Sequence, residues 1–309
     1  MKRCVVGLVA LVVTAVGAGM GSASPAWAVF PGGDGRLAFD TGGRVVDPHN
    51  IYTVNQDGTG LMQLTSDGQS SDPAWSPNGR RIAFSRRGFI FVMTSTGTSP
   101  RKVAHLGHSA QPAWSPDAKR IAFAHLGDIW TVAAAGGTPT QLTHDAATCP
   151  DSEPTWSPLG GRIAFTNGCG NVVVLRLSTG ARRQITDAAG PDFTADGRGL
   201  VFASDDDLAG GVLPGPQYES SNLTGGGRTM WSRVFCAEGA PCLYGNVAAS
   251  PTSTLAGPAG VFVETLDGGG FCVSGTAGST IDFCPSGAGF PLPNHIDWQP
   301  TDLKQRTEG

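Results

Sequence analysis

The amino-acid sequence predicts an all-β fold: a closed ring of repeated four-stranded antiparallel sheets. Three observations carry this expectation. A tryptophan-centred motif recurs, with Trp75, Trp114, Trp156 and Phe193 spaced by 39, 42 and 37 residues. Each recurrence alternates apolar and polar residues, which is the period of a half-buried strand rather than a helix. The 309 residues include 45 Gly and 22 Pro, while only 15% are charged. That composition suits many short strands joined by tight turns and disfavours a long helical bundle.

The chain opens with an export signal. Lys2 and Arg3 precede an apolar run, Val5 to Val16, and Ala26-Trp27-Ala28 forms a small-x-small cleavage site. Residues 1–28 are therefore read as a secretory signal peptide cleaved near Ala28. The apolar run is too short for a membrane span, which needs about 20 residues. Cys4 stands before that run, where a lipoprotein cysteine cannot lie. Removing the signal takes two cations and no anions, which moves the formal charge from −4 to −6. Nucleic acid and anionic membranes reward clustered Lys and Arg, so both are disfavoured as partners.

The body of the fold is expected over residues 29–301, with 302–309 a flexible tail. Residues 72–84 read DPAWSPNGRRIAF, 111–123 QPAWSPDAKRIAF, 153–165 EPTWSPLGGRIAF and 191–202 PDFTADGRGLVF; residues 31–39, PGGDGRLAF, carry the second half of the motif. A first strand ends at the Trp, and Ser-Pro-x-Gly supplies a turn because Pro presets φ and Gly or Asn accepts unusual φ. The Arg-Ile-Ala-Phe segment is the second strand. Third strands follow at Ile51–Val54, Phe89–Met93, Ile129–Val132 and Val172–Leu175, and fourth strands at Leu61–Leu64, Arg101–Ala104, Thr140–Leu142 and Arg183–Ile185. One such sheet cannot bury both faces alone, so several must pack around an axis as a β-propeller.

WSPDAKRIAF, WSPNGRRIAF and IYTVNQDGTGLMQLT resemble the WD40-like (PD40) repeats of TolB-type propellers. The resemblance runs from about residue 31 to 204, weakens over 205–292 and returns at Asp297-Trp298-Gln299-Pro300. It covers the propeller part only, because the repeats begin within a few residues of the expected cleavage site and leave no room for the N-terminal α/β domain of TolB. The segment near Ile296–Gln299 is expected to pair with Arg36–Phe39 and close the ring, removing two exposed sheet edges. Six blades are expected, with Met230-Trp231-Ser232 opening the sixth; seven blades is the alternative. Residues 205–292 read as degenerate, disulfide-containing blades with an insertion, or as an appended lobe.

Without the signal peptide, six cysteines remain: Cys149, Cys169, Cys236, Cys242, Cys272 and Cys284. In an exported chain an even set reads as disulfides, and sequence neighbours are the favoured pairs, 149–169, 236–242 and 272–284. No CxxC supports a metal site instead.

Antiparallel order sorts the loops by face. The first-to-second and third-to-fourth turns share one face; the second-to-third turns and inter-blade connections share the other. His105, His108, His125 and His144 should all lie on this second face. They are candidates for a Zn²⁺, Cu²⁺ or polar-ligand site, or are solvated loop residues. Asp205, Asp206 and Asp207 fall there too, as a candidate Ca²⁺ cluster or a solvated turn. Trp75, Trp114 and Trp156 occupy one repeat position and are expected between blades; Trp231 breaks the pattern and is the candidate for ligand stacking. No Gly-x-Ser-x-Gly elbow and no phosphate loop occurs.

The reading that follows is a secreted or cell-envelope, monomeric, non-catalytic recognition module for a protein, peptide or envelope polymer. No cofactor is required, although Ca²⁺ or Zn²⁺ would suit the acidic and histidine loops. The alternative is an extracellular propeller hydrolase or polysaccharide lyase with a metal- or His-dependent site at one channel mouth.

Overall fold

A computed structural model describes residues 36–41, 48–55, 59–194, 197–204, 214–227, 229–235, 247–248, 261–266, 270–275, 282–283 and 293–298; from residue 214 onward, side chains are described only at 221–227. The described residues form an all-β propeller of four-stranded antiparallel blades.

Blade one combines Leu37–Thr41, Ile51–Val54 and Met62–Gln63 with the C-terminal strand Pro293–Trp298. Blade two is Ser70–Trp75, Arg81–Arg86, Phe89–Thr94 and Arg101–Lys102. Blade three is Ser109–Trp114, Arg120–His125, Asp128–Ala133 and Thr140–Gln141. Blade four is Asp151–Trp156, Arg162–Asn167, Asn171–Arg176 and Arg182–Thr186. Blade five is Ala189–Phe193, Gly199–Ser204, Pro214–Asn222 and Thr229–Phe235. A sixth four-stranded sheet, Val247–Ala248, Val261–Leu266, Gly270–Gly275 and Asp282–Phe283, lies between blade five and the closing strand. The expected closure is present: Leu37 pairs with Trp298, Ala38 with Asp297 and Phe39 with Ile296.

One expectation is corrected. Met230-Trp231-Ser232 does not open a sixth blade; it lies in the fourth strand of blade five, antiparallel to Pro214–Asn222. The cause is the long segment between Ser204 and Pro214. It delays the third strand, so the repeat spacing no longer marks a first strand.

The repeated motif explains the packing. Phe39, Phe84, Phe123, Phe165 and Phe202 end the second-strand motif, one per blade, and all are fully buried. Burying each is worth about 1.5–3 kcal/mol over leaving it in water. The Trp position lies between blades, as its periodicity implied. Trp114 packs with Ala74, Ala83, Ile90 and Val92 of blade two as well as Ile121 and Phe123 of its own blade. Its Nε1 donates to the Ala74 carbonyl at 3.0 Å. Arg81 of blade two lies 4.7 Å from its ring centroid, and Arg120 of blade three stands 4.8 Å from the Trp156 ring. These cation–π contacts tie each blade to the next.

The turns are built as the motif requires. Ser76 and Ser115 are buried, and their hydroxyls accept from the N–H groups of Arg81 and Arg120, each at 2.9 Å. Thr194 repeats the device with Gly199 N at 3.0 Å. A buried hydroxyl thus satisfies the first donor of the second strand, which would otherwise be orphaned.

Candidate functional site on the connection face

The second-to-third turns and the inter-blade connections meet on one face. The first residue of a blade donates its N–H to the preceding blade: Ser70 N to His49 O at 2.9 Å, Ser109 N to Gly88 O at 2.9 Å and Asp151 N to Gly127 O at 2.6 Å. At Gly88 an added Cβ would meet His108 N at 3.0 Å, with φ at +72°, so only Gly lets this turn sit against the connection.

Below these loops, the first strands carry a blade-to-blade girdle. Asp72, Gln111 and Glu153 have φ of 52°, 55° and 54°, each just before a Pro, where the first strand bulges against the second. The bulge turns backbone and side chain so that neighbours join. Asp72 N donates to Asp40 Oδ2 at 3.3 Å, Gln111 N to Asp72 Oδ2 at 3.3 Å and Glu153 N to Gln111 Oε1 at 3.0 Å. The Thr166 hydroxyl donates to Glu153 Oε2 at 2.8 Å and accepts from Gly190 N at 2.8 Å. This chain of acceptors fixes blades one to five at the inner edge of the face.

All four candidate histidines lie on this face, around blade three. His105, His108 and His144 are exposed in the connections before and after that blade. His125 ends its second strand, with Nδ1 3.4 Å from the Ser109 hydroxyl and its ring edge-on to Trp130 at 5.5 Å. The structure does not bring three of these imidazoles together as potential ligands among the described residues. Leu126, 67% exposed, projects from the turn beside His125. Asp205, Asp206, Asp207, Cys236, Cys242 and Cys284 lie outside the described residues; at Trp231 and Cys272 only the backbone is described.

The expected Cys149–Cys169 disulfide is present, with Cα atoms 5.3 Å apart. It joins the connection entering blade four to that blade's own second-to-third turn.

Next to it lies a group that the sequence reading did not single out. Asp128 opens the third strand of blade three, Asp145 lies in the connection and Asp151 opens blade four; one carboxylate oxygen from each lies within 4.8 Å of the others. Asp128 Oδ1 accepts from Asp145 N at 3.0 Å and Ala146 N at 3.2 Å, and Oδ2 accepts from Gln141 Nε2 at 3.0 Å. Asp145 receives Arg182 through Nη1 at 2.6 Å and Nη2 at 3.3 Å. Burial pushes the Asp145 carboxyl up, but the Arg182 contacts outweigh it and hold the group below its ordinary value.

Asp151 is only 2% exposed, and neither of its carboxylate oxygens has a hydrogen-bond partner. Burial pushes its carboxyl up to about 6; Asp145 and Asp128 add to the rise, while the Thr143 hydroxyl and Arg182 oppose it. The signal that could have found this group is the repeat itself. Asp151 occupies the position held by Ser70 and Ser109 in the two preceding blades.

The fold and this face define a propeller whose repeated strands hold non-repeating loops. The chain belongs to the TolB beta propeller domain (PD40) family, which it matches over residues 44–202, just over half its length. No curated protein sequence matches it. Among solved structures, it is similar to TolB from Acinetobacter baumannii, with a TM-score of 0.69 at 15% identity over 86% of this chain and 67% of that one. It is also similar to a putative TolB from Agrobacterium tumefaciens, with a TM-score of 0.52 at 23% identity over 60% of this chain and 74% of that one. A chain of a nidogen/laminin complex gives 0.56 at 12% identity over 87% of this chain and 99% of that one. At these identities the likenesses speak to the fold.

Proposed function

We infer that the protein is a non-catalytic recognition module that engages a protein, peptide or envelope polymer through its connection face. One observation carries this reading. The residues that break the repeat, His105, His108, Leu126, His144 and the Asp128–Asp145–Asp151 group, gather on that face around blades three and four. Rigid scaffolds that present variable loops are the usual way in which propellers and other repeat folds bind partners. The girdle and the disulfide supply the rigidity here. The TolB and nidogen/laminin likenesses give the propeller fold on which such a face is built.

The same reading takes the chain as exported and monomeric, with the signal peptide removed near Ala28. The Cys149–Cys169 disulfide supports an oxidising compartment. It also takes the sixth sheet as a sixth blade rather than an appended lobe. A hydrolase or lyase built on the histidines would need them to converge, and among the described residues no three of them do.

The test is a capture experiment on the host's envelope fraction, followed by mapping. The chain is compared with H105A/H108A/H144A and with substitutions on the opposite face at Pro77 and Leu159. Loss of the captured partner with the histidine variant alone supports the reading. Equal capture by all variants, or loss only on the opposite face, overturns it.

A further inference from the structure

Three blades solve the same local problem, and one of them solves it differently. At the start of blades two and three the first side chain is a buried serine whose proton is used. Ser70 Oγ donates to Asp67 Oδ1 at 2.8 Å, and Ser109 Oγ donates to the Leu106 carbonyl at 2.9 Å. Blade four places Asp151 there, equally buried. An ionised carboxylate has no proton to give, and the side chains gathered against it include two more carboxylates; the neighbouring Thr143 hydroxyl donates to Asp128 Oδ1 at 3.4 Å and leaves both Asp151 oxygens unpartnered. Asp67, the counterpart of Asp145 in blade one, is neutralised by Arg86. In the later cluster three carboxylates share one guanidinium, and Arg182 is already held by Asp145. A buried, unpartnered ionised carboxylate in such surroundings is strongly unfavourable; it is relieved by a proton at low pH and by a bound cation at neutral pH.

We propose that Asp128, Asp145 and Asp151 ligate a divalent cation of the Ca²⁺ type. All three donors are carboxylate oxygens, which suit hard cations rather than Zn²⁺ or Cu²⁺. Their spread of at most 4.8 Å fits opposite ligands of Ca²⁺, which at 2.3–2.6 Å from the ion stand about 4.6–5.2 Å apart. Asp128 and Asp145 are only half-buried, so water can complete the shell. Asp145 contributes one carboxylate oxygen while keeping its bond to Arg182, and Asp151 reaches the ion from the buried side. The ion would fasten blade three to the first strand of blade four, the same junction that the disulfide spans. This site is structural and does not depend on the recognition reading; a failure of one leaves the other standing.

The test uses the full, oxidised chain, stripped with EDTA and titrated calorimetrically with CaCl₂, with MgCl₂ and ZnCl₂ as comparisons. One Ca²⁺ per chain is expected, and a hundredfold excess over the Kd should raise the melting midpoint by roughly 5 °C. Asp151→Asn keeps the shape, removes the buried charge and should weaken Ca²⁺ at least tenfold. Asp145→Asn, at a half-buried position, is the second variant and should weaken it likewise. No heat and no shift in the parent chain up to millimolar Ca²⁺, or unchanged affinity in either variant, overturns the assignment.

Discussion

On the turn face, Ser76 and Ser115 occupy equivalent positions and do the same thing: each accepts the first N–H of its second strand at 2.9 Å. On the connection face, Ser70, Ser109 and Asp151 are equivalent in backbone position and differ in chemistry. The two serines spend their protons on neighbours, while Asp151 stands unpartnered beside Asp128 and Asp145. The lesson is that periodicity reports what the ring needs in order to exist. Departures from it, at fixed backbone geometry, report what a given molecule adds. Four predictions probe that division.

The largest expected effect comes from breaking a repeated element. Trp114→Ala removes the bond to the Ala74 carbonyl, the stacking of Arg81 and the packing against blade two. A loss of about 3–5 kcal/mol in urea unfolding is expected. Trp156→Ala, in the same position one blade on, should cost a similar amount. A loss below about 1 kcal/mol at either site would show that the blades do not share their cores as described.

The second effect belongs to the connection face alone. Replacing Cys149 and Cys169 together by Ala opens a cross-link spanning 20 residues. The chain-entropy model gives about 3 kcal/mol for a loop of this size. Denaturant melts with and without reductant measure it; equal stability of the oxidised and reduced chain would mean that the junction is held without the bond.

The third effect is a pH dependence with a definite sign. Asp151 has a folded-state pKa pushed up to about 6, above the ordinary carboxylate value of 3.8. Between these values the folded chain binds the proton more tightly than the unfolded chain. The Asp151 contribution to stability, measured in EDTA as the difference between the parent chain and Asp151→Asn, should therefore be most favourable below about pH 4, fall as pH rises to about 6 and then level off. The whole drop is at most about 3 kcal/mol, since each unit is worth 1.36 kcal/mol. Asp151→Asn should remove this fall between about pH 4 and 6 and raise stability at neutral pH. A contribution that rises over this interval by a comparable amount, or a variant with the parental slope, would contradict a buried unpartnered acid.

How far the sequence revealed this molecule follows from the same division. The strands around Trp75, Trp114, Trp156 and Phe193, the closing pair of Leu37 with Trp298 and the Cys149–Cys169 bond were all legible, because each rests on local pattern or near spacing. Trp231 was misplaced because the segment after Ser204 shifts the phase of the repeat, and spacing cannot detect an insertion of unknown shape. The girdle of Asp72, Gln111 and Glu153 was hidden because a bulge, not alternation, turns those residues toward the next blade. The Asp128–Asp145–Asp151 group joins residues from two blades and a connection. Only aligning the repeats at Ser70 and Ser109 would have marked Asp151 as the odd member.

The smallest effect on stability should accompany the largest effect on binding. His105, His108 and His144 are exposed on the connection face. Substitutions at such positions typically stay within about 0.5 kcal/mol. The triple Ala variant should therefore melt within about 2 °C of the parent chain and keep its disulfide and its response to Ca²⁺, yet lose the captured partner. Circular dichroism melts beside the capture assay separate the two outcomes. A variant that loses both stability and partner would place these imidazoles among the supports of the ring, and the contrast between the two faces would then no longer divide scaffold from function.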